Sequence, residues 1–129
     1  MSTAFEARIP GTPQGVGMIR HAMTAIADTC GMDAEETADV RLAVTEAATN
    51  AVMHAYADAE GEIRVTATIG DGQLGIVVAD TGPGLVERDD SPGLGLGLAI
   101  MANLSERLRV VSCPGGTEVH MAFPCPNAA

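Results

Sequence analysis

One stretch, "EIRVTATIGDGQLGIVVAD" from Glu62 to Asp80, restricts the possible folds more than any other. Ile63, Val65, Ala67 and Ile69 alternate with Glu62, Arg64, Thr66 and Thr68, the two-residue period of a strand with one face buried and one exposed. "GDG" at Gly70 to Gly72 is a hairpin signal, and the run after it, ending at Asp80, is more apolar. The two runs are expected to pair antiparallel. Their apolar face then needs a cover from elsewhere in the chain.

Helical patterns supply that cover. "TPQGVGMIRHAMTAIADTCG" places Met18, Ile19, Ala22, Met23 and Ile26 at helical spacing, with Gly31 as a C-terminal cap. Asp33 and Glu36 have the form of a capping box, and apolar residues then run through Val40, Leu42, Val44, Ala47, Ala48, Ala51 and Val52 to about Tyr56, which predicts a long second helix. "FEARIP" reads as a short first strand. A Gly-rich, acidic stretch from Thr81 to Gly97 leads into a third helix, "LAIMANLSE", followed by "RLRVVS", the turn "CPGG" and "TEVHMAF" as a second hairpin. The order predicts an α+β fold, a two-layer sandwich whose mixed, mostly antiparallel sheet is covered on one face by helices. The 129 residues suit a single domain with its core between about residues 5 and 123, and the last residues, "PCPNAA", are expected to fray.

Hydrophobic residues make up 47% of the chain but aromatic ones only 2%, so the core must be built from Ala, Val, Leu, Ile and Met. The formal charge is −10, and all seven basic residues are Arg. Neither nucleic acid nor an anionic membrane is an expected partner, because both require a clustered basic surface. "MSTAFEARIP" has no basic region followed by an apolar run, and no segment approaches the roughly 18 apolar residues of a membrane span, which points to the cytoplasm. Cys30, Cys113 and Cys125 lack CxxC spacing and are expected to be reduced thiols. An acidic protein that binds an anion must use backbone amides or a metal cation.

Three segments carry possible chemistry. In "TEAATNAVMHAY", Glu46, Asn50 and His54 are spaced four apart and share a helix face. In "ADTGPGL", Asp80 ends an apolar strand beside Gly82 and Gly84. A carboxylate there can accept a hydrogen bond from an exocyclic amine such as adenine's. In "SPGLGLGLAI", Gly93, Leu94, Gly95, Leu96 and Gly97 run straight into a helix, so that backbone amides and the positive end of the helix dipole can receive phosphates. Taken singly, these are a solvated helix face, a strand-ending turn and a glycine-rich loop. Together they compose a Mg-ATP site without lysine: Asp80 reads adenine, the glycine loop cradles phosphate, Asn50 offers magnesium a hard oxygen, and Glu46 stands one turn away to accept a proton.

The ordered set "EAATN", "DTGPG", "GLGLGLAI" and "GGTEVHMAF" resembles the ATPase domains shared by gyrase, the Hsp90 chaperones, histidine kinases and MutL. Within that superfamily the chain is most similar, over roughly Phe5 to Phe123, to the anti-sigma-factor serine kinases. The resemblance implies a Bergerat-type sandwich with Glu46 as catalytic base, Asn50 as magnesium ligand and Asp80 as adenine reader, with Thr117 near the adenine. It also implies an ATP-dependent serine or threonine kinase in transcription regulation, which phosphorylates a STAS-type antagonist, sequesters a sigma factor and forms a homodimer. "LVERDDSP" is shorter than the lid of many relatives, and Arg88 is its only basic residue and so its single candidate lid contact. His54 is expected to be structural, and His21 and His120 to be ordinary helix and strand positions. The alternatives are an ATP-dependent binding module that transfers nothing, and a detached catalytic domain of a two-component histidine kinase.

Overall fold

In the computed structural model, residues 2–55, 61–81, 94–113 and 115–128 are described. Strands β2 (Glu62–Gly70) and β3 (Gln73–Asp80) form the expected hairpin, with Gly70 opposite Gln73. Asp71 (φ 54°) and Gly72 (φ 74°) both take left-handed backbone, the requirement of a two-residue turn whose twist matches its strands. Strand β1 (Ser2–Pro10) pairs with β2, and the hairpin of β4 (Arg107–Cys113) and β5 (Gly116–Pro124) returns β5 to the side of β3. The sheet order is β1-β2-β3-β5-β4, and every pairing among the described strands is antiparallel, so the expected parallel component is absent from them.

Helix α1 (Pro13–Thr29) opens with Thr12, whose side chain accepts from the Gly15 amide at 3.1 Å, and with Pro13 at its first position. Helix α2 (Ala34–Asn50) begins with the predicted capping box. The Glu36 amide donates to Asp33 Oδ1 at 2.8 Å, and the Asp33 amide donates to Glu36 Oε1 at 3.1 Å. Regular helix stops at Asn50 and continues as a π-helical turn, Ala51–Ala55; Tyr56, the expected helix end, lies outside the described residues. Helix α3 is Leu94–Leu104.

The helices cover one face of the sheet. Ile19 and Met23 of α1, Val40 and Val44 of α2 and Met101 of α3 are buried against Ile63, Val65, Leu74, Ile76, Met121 and Phe123. Each large aliphatic side chain removed from water contributes about 1.5–3 kcal/mol, so methyl-rich packing replaces the missing aromatics. Met18 and Leu42, counted in the apolar periodicity, are 58% and 46% exposed because they lie at the edges of their helical stripes. The opposite face of the sheet carries the polar half of the alternation, with Arg8 opposite Arg64 and Thr66 opposite Val77.

The chain end departs from the expected fraying. Cys125 is buried, and its amide donates to the Gly72 carbonyl at 2.8 Å; the Asn127 amide donates to the Cys30 carbonyl at 3.1 Å, and Asn127 Nδ2 to the Thr29 carbonyl at 3.2 Å. Gly72 in turn donates to the Ala128 carbonyl. The tail thus satisfies carbonyls at the end of α1 and both the amide and the carbonyl of Gly72 in the β2–β3 turn, polar groups that would otherwise need water. Cys125 Sγ lies 4.0 Å from the Cys30 carbonyl, and burial, reinforced by Cys125, pushes the Cys30 thiol up to about 12.

Candidate functional site

The buried stripe of α2 is Val40, Ala43, Val44, Ala47 and Ala48, which leaves Glu46 and Asn50 half-buried on the flank that packs against α3. Their side chains converge on Gly97, which is itself buried. A Cβ at residue 97 would lie 3.0 Å from Asn50 Nδ2 and 3.3 Å from both Asn50 Oδ1 and Glu46 Oε2. The regular hydrogen-bond ladder of α2 ends at this point, since the π-helical turn starts at Ala51; such turns recur where a helix shapes a site. His54 falls in that turn.

The glycine motif is organised differently from a loop that precedes a helix. Leu94, Gly95, Leu96 and Gly97 already form the first turn of α3, so the helix starts four residues earlier than its apolar pattern suggests. The N–H groups of a first turn have no partner within their own helix, so these amides remain the donors the sequence pointed to. Leu96 is 67% exposed, so its side chain lies outside the core. Gly82, Gly84, Arg88 and Gly93 lie outside the described residues.

Asp80 and Thr117 form the other half. They are direct cross-strand partners at the end of β3 and the start of β5, and Thr117 is only 4% exposed. Asp80 is half-buried, and β3 packs against both α2 and the π-helical turn that follows Asn50. Sequence reading missed Gly116. Its φ of 149° is unfavourable for a residue with a side chain, and a Cβ there would collide with the Asp80 carbonyl oxygen and lie 3.2 Å from Thr81 Cα. The only signal for it was the doubled glycine before Thr117.

Among the described residues no cluster of three His, Cys, Asp or Glu side chains could hold a metal by itself. The donors at Gly97 instead comprise one carboxamide and one carboxylate. The Asn50 carboxamide oxygen is a hard donor of the kind magnesium accepts, and the Glu46 carboxylate beside it stays available to take a proton. No described helix is long and apolar enough to cross a membrane.

Residues 9–123 match the histidine kinase-like ATPase domain family, and the chain belongs to that family. Among its relatives is the serine-protein kinase RsbW of Bacillus licheniformis, 36% identical over 122 residues, covering 82% of this chain and 76% of the relative. The anti-sigma F factor of Pasteuria penetrans is 41% identical over 101 residues, covering 67% of each chain. Among solved structures, the RsbU and RsbW domains of a Mycobacterium tuberculosis protein superpose with a TM-score of 0.73 at 25% identity. That match covers 94% of this chain, which spans about a third (32%) of the mycobacterial one.

Proposed function

We propose that this chain is an ATP-dependent protein serine/threonine kinase of the anti-sigma-factor type, acting as a single ATPase domain in the cytoplasm. Its protein substrate is an antagonist of the STAS type, and its second partner is a sigma factor. Membership of the histidine kinase-like ATPase family and the names of the relatives support the class. The observation that carries the site assignment is the convergence of Glu46 and Asn50 on Gly97 at the first turn of α3.

In this reading Asp80 accepts a hydrogen bond from the adenine amine, with Thr117 beside it and Gly116 allowing the strands to close behind it. The amides of Leu94 to Gly97 receive phosphate oxygens, and Gly82, Gly84, Gly93 and Arg88 complete the pocket. Asn50 would hold Mg2+, which when bound offsets phosphate charge in a protein of net charge −10. Glu46 Oε2 takes the proton of the attacking serine or threonine hydroxyl as its oxygen bonds to the terminal phosphorus, and ADP leaves with the electrons of the broken P–O bond. Gly97 is small because the base and the metal ligand need the same space.

A homodimer is the assembly this reading expects, and the sheet face turned away from the helices supports it. Small residues Val77, Ala79 and Ala122 lie between Arg8 and Arg64 on one side and Arg109 on the other, with Glu6 and Glu118 on the same face. Glu118 already lies 2.8 Å from His120 Nε2 on this face, and a twofold axis can set such arginines against a copy's Glu6.

Incubation with γ-labelled ATP and a STAS-type antagonist domain tests the function. Acid-stable phosphate on the antagonist is expected. Intact ATP binding without transfer would leave a binding module, and acid-labile phosphate on a histidine would make the chain a detached half of a histidine kinase.

A further inference from the structure

At the opposite end of the α2–α3 pair from Gly97, a groove of about 250 Å3 is lined by Met32, Val40, Leu104, Phe123 and Pro124 with Glu36, Asp39 and Glu106 at its rim. The two helices run antiparallel, since Gly97 meets Asn50 at one end while Leu104 joins Val40 and Asp39 at the other. Asp39 is seven residues from Glu46 along α2, about 10 Å at 1.5 Å per residue, so the groove is separate from the nucleotide site.

Its chemistry is specific. The floor is apolar, with Val40 and Phe123 part of the core and Met32 and Leu104 half-buried. Among the described residues no cation reaches any rim carboxylate: Glu36 is engaged by the Asp33 amide, and Glu106 Oε2 only by Gln73 Nε2 at 3.5 Å. The volume lies below the roughly 300–1,000 Å3 of small-molecule pockets and fits one or two side chains.

From this complementarity of charge and shape, we infer that the groove docks a basic, apolar segment of a protein partner: an aliphatic side chain fills the floor, and flanking Arg or Lys side chains pair with Asp39 and Glu106. The inference is independent of phosphotransfer, because the groove contains none of the residues assigned to nucleotide.

The test uses the full chain and a fluorescein-labelled amphipathic peptide of Leu, Ala and Arg, about 14 residues or roughly four helical turns long. Asp39→Arg and Glu106→Arg are each expected to weaken binding by about fivefold to tenfold. Glu6→Arg makes the same charge change on the sheet face away from the helices and is expected to change binding by less than about twofold. Met32 and Leu104 methyl resonances should shift on titration, and a peptide with Ser in place of Leu should lose binding. Equal weakening by Glu6→Arg, unmoved methyl resonances, or undiminished binding of the Ser peptide would each overturn the inference, reducing the attraction to the general acidity of the chain.

Discussion

Gly97 leaves open the space that Asn50 needs: a Cβ on residue 97 would stand 3.0 Å from Asn50 Nδ2, closer than nearly all real Cβ contacts. Helix propensity favours Ala there by about 1 kcal/mol, so the glycine is kept against local stability. Gly97→Ala is therefore expected to hold or raise the melting temperature while weakening magnesium-dependent nucleotide binding by about tenfold, or about 1.4 kcal/mol. Thermal melts and calorimetry on the same preparation check both signs.

Glu46 and Asn50 share a helix face but are assigned different tasks. Glu46→Ala should keep nucleotide affinity and lose phosphotransfer by about 10²–10⁴-fold, the usual worth of a positioned base. Asn50→Ala should lose the magnesium-dependent part of binding. Transfer assays paired with titrations separate the two, and equal loss of affinity in both variants would remove the division of roles.

Gly116→Ala places a side chain at φ 149° and against the Asp80 carbonyl. Backbone strain of this kind costs about 1–3 kcal/mol, and the displaced Asp80 should also lose preference for adenine over guanine nucleotides. Denaturant unfolding and competition binding measure the two effects. Asp80→Asn should reproduce the lost preference with little of the destabilisation.

The main outline was legible because it rests on local rules. Alternation fixed the faces of β2, the Asp-Gly pair fixed its turn, and Asp33 with Glu36 marked the start of α2. Three features were not legible, each because a nonlocal contact decides it. The glycines of Leu94 to Gly97 look like loop until α2 packs beside them, and Gly116 looks like a turn residue until Asp80 crosses it. The tail, polar and proline-rich, looks frayed until Asn127 meets the end of α1. Of the site, the residue types could be named in the sequence, with Asp80 and Thr117 each set near the adenine by resemblance. Their register was not.

The docked tail gives a stability prediction. Asn127→Ala removes the bond to the Thr29 carbonyl, which should cost about 0.5–1.5 kcal/mol. Deletion from Cys125 onward should cost more, because it also uncovers Cys30 and frees the Gly72 amide and carbonyl. Chemical denaturation of the two variants ranks the effects.

Cys30 sets a limit at alkaline pH. Burial, with Cys125 beside it, raises its thiol from an ordinary value of 9.0 to about 12. A group whose pKa is raised by folding stabilises the fold fully below its unfolded value and loses that contribution as pH climbs to the folded one. Stability should accordingly fall between about pH 9 and 12, and Cys30→Ala should flatten that fall. Neither Cys30 nor Cys125 should react with a thiol reagent at neutral pH until the chain unfolds.

The most direct measurement is a calorimetric titration of the full chain with ATP and with GTP, each in the presence and absence of magnesium. Saturable ATP binding that requires magnesium and exceeds GTP binding is expected from Asp80, Asn50 and the amides of Leu94 to Gly97 acting together. No heat of binding with magnesium present, or equal affinity for the two nucleotides, would contradict that assignment.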